Sequence, residues 1–172
     1  MKISIIIPVY NEAKTVAEVV KKVETVNIDK EIIAVDDGSI DGSLDILERL
    51  ASEGRIKLIR HDKNSGKGAA IKTGIKAAEG GIIIIQDADL ETDPQDYYEL
   101  IKPIISGETK AVFGYRIAKK PTSIYCWGGK MVSFITYLLY GGNVKDVNNG
   151  YKVMTRDLWQ SLNLQSNRFQ IC

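Results

Sequence analysis

The chain has 172 residues, 44% of them apolar and 26% charged, and a formal net charge of +1. This length suits one domain whose folding removes about two-thirds of the unfolded surface, and a charge near zero excludes a strong global field for nucleic acid. Two cysteines, Cys126 and Cys172, without a Cys-x-x-Cys spacing, and a single histidine, His61, exclude a disulfide framework and a histidine-rich zinc site.

The run KISIIIPVY (Lys2 to Tyr10) reads as a buried strand. It begins without a signal-peptide pattern, and no later apolar run reaches the ~18 residues of a membrane span. A cytoplasmic protein is expected, with any membrane contact peripheral. From Glu12 to Thr25, Val16, Val19, Val20 and Val23 recur at helical spacing. EIIAV (Glu31 to Val35) is a second strand, followed by the turn DDGSIDGS and a helix carrying Leu44, Ile46, Leu47 and Leu50. IKLIR (Ile56 to Arg60) is a third strand. The polar loop HDKNSGKG follows, then a helix over AAIKTGIKAAEG that ends at Gly80.

Ile82 to Ile85 makes a fourth strand. In TDPQDYYELIKPI, Thr92 or Asp93 can cap a helix, Pro94 suits its first position and Asp96 its first turn. KAVFGYR (Lys110 to Arg116) is a fifth strand. This alternation predicts an α/β fold, a mostly parallel central sheet with helices on both faces. Beyond Lys119 the order breaks down. Trp127 to Tyr140 is an apolar, aromatic helix candidate, and VKDVNNGYKVMTRDLW holds a short strand, a loop and another helix start.

Ligands of parallel α/β sheets bind outside the carboxyl ends of the strands. Those exits read PVYNE, DDGSIDG, HDKNSGKG, DADLE and GYR. Asp87 and Asp89 are two apart, so on an extended chain their carboxylates point the same way. Two such charges repel unless a cation neutralises them, and oxygen donors suit Mg²⁺ or Mn²⁺ with substrate phosphates completing the shell. The bland alternative is a solvated turn with capping acids. Asp36 and Asp37 can accept hydrogen bonds from a ribose or a base, or simply form a turn. NSGKGAA surrounds Lys67 with glycines before a helix, which favours an anion. It is not a Walker A loop, because His61 and Gly68 stand where that loop needs glycine and Ser or Thr, and Ile71 breaks the dinucleotide pattern. Arg116 is a candidate phosphate clamp or a plain surface arginine.

Together, IIIPVYNE, VDDGSIDGS, NSGKGAAIKTGIKAAEG, QDADLETDPQDYYELIKPI, VFGYR and GYKVMTRDLW resemble family 2 glycosyltransferases of the GT-A fold, nearest the dolichyl- or polyprenyl-phosphate sugar synthases. The resemblance covers Ile5 to Trp159. It implies one glycosyltransferase domain over 1–172, with a nucleotide-sugar-binding half (1–118) and an acceptor-side half (119–172). It assigns Pro8, Tyr10, Glu12, Asp36, Asp37, Lys67, Asp87, Ala88 and Asp89 to the nucleotide sugar. Asp87, Asp89 and Glu91 become metal ligands for Mg²⁺ or Mn²⁺. Arg116, Lys130 and Ser133 face an acceptor phosphate. The implied reaction is inverting transfer of a hexose from GDP-mannose or UDP-glucose, the former favoured, to a polyprenyl phosphate, with Asp89 and Arg116 catalytic.

The chemistry agrees with the residues. Charge builds on the departing diphosphate, which a metal stabilises. An acceptor phosphate is already ionised and needs positioning cations rather than a strong base. Downstream of Arg116, Asp146 and Asp157 are the acids available as a base. The aromatic run Trp127, Phe134, Tyr137, Tyr140 around Lys130 suits a lipid–water boundary, or an ordinary buried helix. Family members usually carry Phe-Glu where Phe169 and Gln170 stand and continue further, so the domain reads as short at its C-terminus. Three alternatives remain at this point: transfer to a sugar hydroxyl, a non-catalytic nucleotide-sugar binder and, most distantly, a nucleotidyltransferase.

Overall fold

The computed structural model describes residues 1–114 and 151–162. In chain order these form β1 (Ile3–Val9), α1 (Val16–Thr25), β2 (Lys30–Asp36), α2 (Ser43–Ser52), β3 (Lys57–Arg60), α3 (Lys67–Ala77) and β4 (Ile82–Ile85). A 3₁₀ turn (Pro94–Asp96) leads into α4 (Tyr97–Ile105), followed by β5 (Ala111–Phe113), β6 (Lys152–Thr155) and α5 (Arg156–Ser161). The strands make one six-stranded sheet in the order β3-β2-β1-β4-β6-β5. The first four strands are mutually parallel, while β6 runs antiparallel to both β4 and β5.

Strand β1 lies between β2 and β4 with both faces covered, which is why it reads as a continuous apolar run rather than an alternating one. Its alternation appears only in what each side chain meets. Ile5 and Ile7, with Ile82 and Ile84 of β4, face the core built from α1, α2 and α4, including Val16, Val20, Leu47, Tyr97 and Ile101. Ile6, with Ile83 and Ile85, faces a second core with Ile71 and Ile75 of α3 and Met154 and Trp159 from β6 and α5. Helix α3 sits close to the sheet because Gly74 has no Cβ; one placed there would lie 2.4 Å from Ile6 Cγ2.

The expected layers are present, with local differences. Helix α1 starts at Val16 rather than Glu12, because the Glu12 carbonyl first closes a turn onto the Thr15 and Val16 N–H groups. Helix α3 includes Lys67 and Gly68 and ends at Ala77; Gly80 instead lies against β1, its N–H donating to Ser4 Oγ at 2.9 Å. Strand β5 covers Ala111–Phe113; of the rest of the stretch expected, Lys110 and Gly114 lie outside it, and Tyr115 and Arg116 lie outside the described residues. The 3₁₀ turn opens as the sequence indicates, with Asp93 accepting from the Gln95 N–H at 3.0 Å and Pro94 in first position. In the last segment strand and helix adjoin, Thr155 ending β6 and capping α5. Cys126, Cys172, Asp146 and the helix expected at Trp127 to Tyr140 lie outside the described residues.

The sheet order reverses between β1 and β4, the place where parallel α/β sheets leave a crevice at their carboxyl edge. Gly74→Val should test how closely α3 is seated. Overpacking against the fully buried Ile6 is expected to cost about 2–3 kcal/mol, read as a lower denaturant midpoint. An unshifted midpoint would mean the helix can move off the sheet freely.

Candidate active site

Four loops meet at that crevice. The β1–α1 and β2–α2 loops are laced together. The Asp37 N–H donates to the Val9 carbonyl at 2.8 Å. The N–H of Asn11 donates to Ser39 Oγ, and the N–H of Ile40 returns to Asn11 Oδ1 at 2.9 Å. The Glu12 N–H donates to Ser43 Oγ, and the Ala13 N–H to Asp41 Oδ2. Asn11 takes a positive φ of 58°, which asparagine tolerates better than most residues.

The third loop is held by one carboxylate. Asp37 is almost fully buried, and Oδ1 accepts the Ser65 N–H at 3.0 Å while Oδ2 accepts the Gly66 N–H at 2.7 Å. Oδ1 also lies 2.7 Å from His61 Nδ1, and His61 Nε2 lies 2.9 Å from Thr73 Oγ1 on α3. In the neutral ring, the carboxylate fixes the tautomer: Nδ1–H donates to Asp37 and Nε2 accepts from the threonine hydroxyl. Gly38 permits the close approach, since a Cβ there would lie 2.8 Å from Asn64 N, at a φ of +75°.

The fourth loop carries the paired acids. Strand β4 ends at Ile85, so Asp87, Ala88 and Asp89 lie in a turn, not on extended strand as their spacing suggested. Asp89 Oδ1 accepts the Glu91 N–H at 3.0 Å, across Leu90, which holds a positive φ of 63°. Asp87 Oδ1 is paired with Lys67 Nζ at 2.6 Å; the two side chains are 18% and 24% exposed. Beneath this turn lies Gln86. Its side-chain N–H groups donate to the Asp87 carbonyl (2.8 Å) and to Thr92 Oγ1 (2.9 Å). Its Oε1 accepts from the hydroxyls of Tyr97 (2.7 Å) and Tyr151 (3.1 Å), whose rings meet edge to face at 5.5 Å. Burial pushes both phenols well above their usual range, so they remain donors.

These loops enclose a cleft of ≈370 Å³. Pro8, Tyr10, Glu12, Asp37, Lys67, Asp87, Ala88 and Asp89 all line it. Asp36 does not: it is fully buried at the end of β2, with Oδ2 accepting the Ser39 N–H at 3.3 Å and Oδ1 without a partner among the described residues. Glu91 is exposed, and among the described residues no group of three or more His, Cys, Asp or Glu side chains converges, so Asp87, Asp89 and Glu91 do not form a three-acid cluster here. Asp157 lies beyond the opposite edge of the sheet, because Thr155 of the antiparallel β6 pairs with Ile82, the first residue of β4. Arg116, Lys130 and Ser133 lie outside the described residues.

Sequence reading missed Val9, Asn64, Gly66 and Ala70 in the lining, and the bracing by Asn11, Asp41, Ser43, His61 and Gln86. The polar string from His61 to Lys67 was the available signal; that its histidine would turn back onto Asp37 was not visible in it.

The profile of the family described as Glycosyl transferase family 2 matches residues 4–162. The chain belongs to glycosyltransferase family 2. Among its curated relatives is the UDP-N-acetylglucosamine–dolichyl-phosphate N-acetylglucosaminyltransferase of Methanococcus voltae, 33% identical over 194 residues, spanning 99% of this chain and 76% of that protein. The dolichol-phosphate mannosyltransferase of Pyrococcus furiosus is 29% identical over 99% of this chain, which spans 51% of its length. The solved glucosyl-3-phosphoglycerate synthase of Mycobacterium tuberculosis, bound to Mn²⁺, UDP and glucosyl-3-phosphoglycerate, matches with a TM-score of 0.73 at 24% identity, over 94% of this chain and 59% of its own. The Pyrobaculum calidifontis mannosyltransferase with GDP-Man and Mn²⁺ matches at 0.69 and 22%, over 94% and 46%. The fold is the GT-A glycosyltransferase fold, as expected. Among the described residues, no helix is long and apolar enough to cross a membrane.

Two predictions follow from the bracing. Gln86→Leu removes a partner of two buried phenols, a threonine hydroxyl and the Asp87 carbonyl. It should lower unfolding free energy by about 2–3 kcal/mol and weaken ligand binding in the cleft; an equal midpoint by chemical denaturation would contradict the network. The second concerns acid. Partial desolvation raises the pKa of Asp41, but hydrogen bonds from the Ser43 hydroxyl and from the Ala13 and Ser43 N–H groups outweigh this and hold it below the usual value. A depressed folded pKa contributes stability that is present above the unfolded value, about 3.9, and is lost as pH falls through the folded one. Asp41→Asn should therefore be less stable than the parent at neutral pH, with the gap closing below about pH 4, as urea midpoints measured against pH would show.

Proposed function

We propose that this domain transfers a hexose, with inversion, from a nucleotide sugar to a polyprenyl or dolichyl phosphate, with GDP-mannose the favoured donor. The observation that carries the reading is the convergence of Asp87, Asp89, Lys67 and the N-terminus of α3 in one cleft at the switch point of the sheet. The Methanococcus and Pyrococcus relatives support it, since both are named for transfer to, or formation of, a dolichol phosphate sugar.

The residues fit a divalent cation. Asp87 and Asp89 offer hard carboxylate oxygens, and an ammonium already rests on one of them. Mg²⁺ or Mn²⁺ held by these two side chains would stabilise the negative charge gathering on the departing diphosphate. Lys67 and the first N–H groups of α3 attract the diphosphate itself. Pro8, Tyr10, Glu12, Ala88 and Asp37 serve the donor from the cleft walls. Asp36, buried at the end of β2 and outside the cleft lining, is not assigned to the ligand. Arg116, with Lys130 and Ser133, is assigned to the acceptor phosphate. Such an acceptor is already ionised, which agrees with the location of Asp157 far from the cleft. A lipid acceptor also implies peripheral contact with a membrane face, the cytoplasmic one in this reading.

Incubating the protein with Mn²⁺, dolichyl phosphate and radiolabelled GDP-mannose, UDP-glucose or UDP-N-acetylglucosamine in turn tests this directly. One donor should give a lipid-linked product. Asp89→Asn should lower the rate at least about 100-fold while moving stability by no more than about 0.5 kcal/mol. Absence of lipid-linked product with all three donors, or full activity in the variant, would sink the proposal.

A further inference from the structure

The least expected contact in the cleft is the ion pair between Lys67 and Asp87. Its geometry is tight, at 2.6 Å, and both side chains are largely withdrawn from water. Lys67 is the first residue of α3, and its backbone is fixed because the preceding Gly66 N–H is held by Asp37 at 2.7 Å. What can move is the long side chain. We propose that Lys67 is a built-in counterion that competes with the divalent cation for Asp87 and yields it when a nucleoside diphosphate arrives. Cation and nucleotide then bind cooperatively through this one side chain. The inference rests on the proposed metal role of Asp87.

The physical case has three parts. A carboxylate neutralised by an ammonium offers a dication less charge and one fewer free oxygen, so a cation arriving alone must displace the lysine. A diphosphate at the α3 N-terminus presents more negative charge than a single carboxylate, at a point where the helix dipole already favours anions. The ammonium therefore redistributes onto the diphosphate, and Asp87 becomes available to the cation. Linkage makes the effect reciprocal: whatever the nucleotide adds to cation affinity, the cation adds to nucleotide affinity.

The arrangement predicts opposite signs for two binding constants, which a merely structural lysine would not produce. Mn²⁺ binding without nucleotide, and GDP and UDP binding without metal, are measured by calorimetry, with electron paramagnetic resonance as a second readout of free Mn²⁺. In Lys67→Met, Mn²⁺ alone should bind about tenfold more tightly and the nucleotide alone about tenfold more weakly, each tenfold being about 1.4 kcal/mol. The mutual enhancement between the two should shrink accordingly. Lys67→Arg, which keeps a cation over Asp87, should return Mn²⁺ affinity toward the parent value. Should Lys67→Met fold poorly, Lys67→Gln takes its place in the same measurements. Mn²⁺ affinity that is unchanged or weaker in the neutral variants overturns the counterion role. If the parent binds Mn²⁺ in the presence of nucleotide while those variants gain nothing, the inference alone fails and the metal site stands. If the parent binds no Mn²⁺ with either nucleotide, and Asp89→Asn changes nothing, the metal reading fails as well.

Discussion

The cleft depends on the carboxylate of Asp37. Its two oxygens fix two consecutive backbone N–H groups and an imidazole from the loop after β3, and the imidazole passes the constraint on to Thr73 of α3. The start of α3 is thereby set in position and direction, and with it Lys67. A charged side chain this buried costs several kcal/mol in desolvation unless its hydrogen bonds are complete. Here three donors converge on it. Its neighbour Asp36 is equally buried and is not satisfied in this way. Of these two adjacent aspartates, one builds the cleft wall and the other is buried at the end of β2, outside the lining.

The loop bearing Asp87 and Asp89 is supported by different means. A glutamine amide beneath it uses donors upward and its acceptor downward, toward two phenols that burial keeps protonated. The polar network is closed at the Gln86 amide, which is the condition under which buried polar groups rigidify a site instead of weakening it. The positive φ at Leu90 and the Asp89–Glu91 hydrogen bond shape the rest of the turn. The Gln86 network below and the Lys67 ammonium paired with Asp87 set the position and the charge environment of the acids.

Much of this was legible in the sequence because it obeys simple periodicities. The isoleucine runs of β1 and β4, the valines of α1 and the Asp93–Pro94 start each follow from local rules, and the strand exits pointed to one rim. What was not legible depended on contacts between distant segments. His61 looked like one more polar loop residue, yet it closes onto Asp37, 24 positions earlier. Gln86 looked like the tail of a strand, but its partners include Tyr151, 65 positions later. The antiparallel direction of β6 also escaped notice, and with it the exclusion of Asp157 from the cleft, because hydrophobic patterning carries no information on strand direction. The two-residue spacing of Asp87 and Asp89 suggested an extended chain; the acids do reach one cleft, but through a turn.

The Gly114 N–H donates to the Tyr151 carbonyl at 3.1 Å, so the stretch numbered 115–150 leaves and rejoins the sheet at neighbouring points. Closing the ends of an excursion costs little more as it lengthens, roughly 0.6 kcal/mol for each doubling. Because the Tyr151 hydroxyl also donates to Gln86, the point at which the chain rejoins the sheet stands directly behind the turn that carries the paired acids.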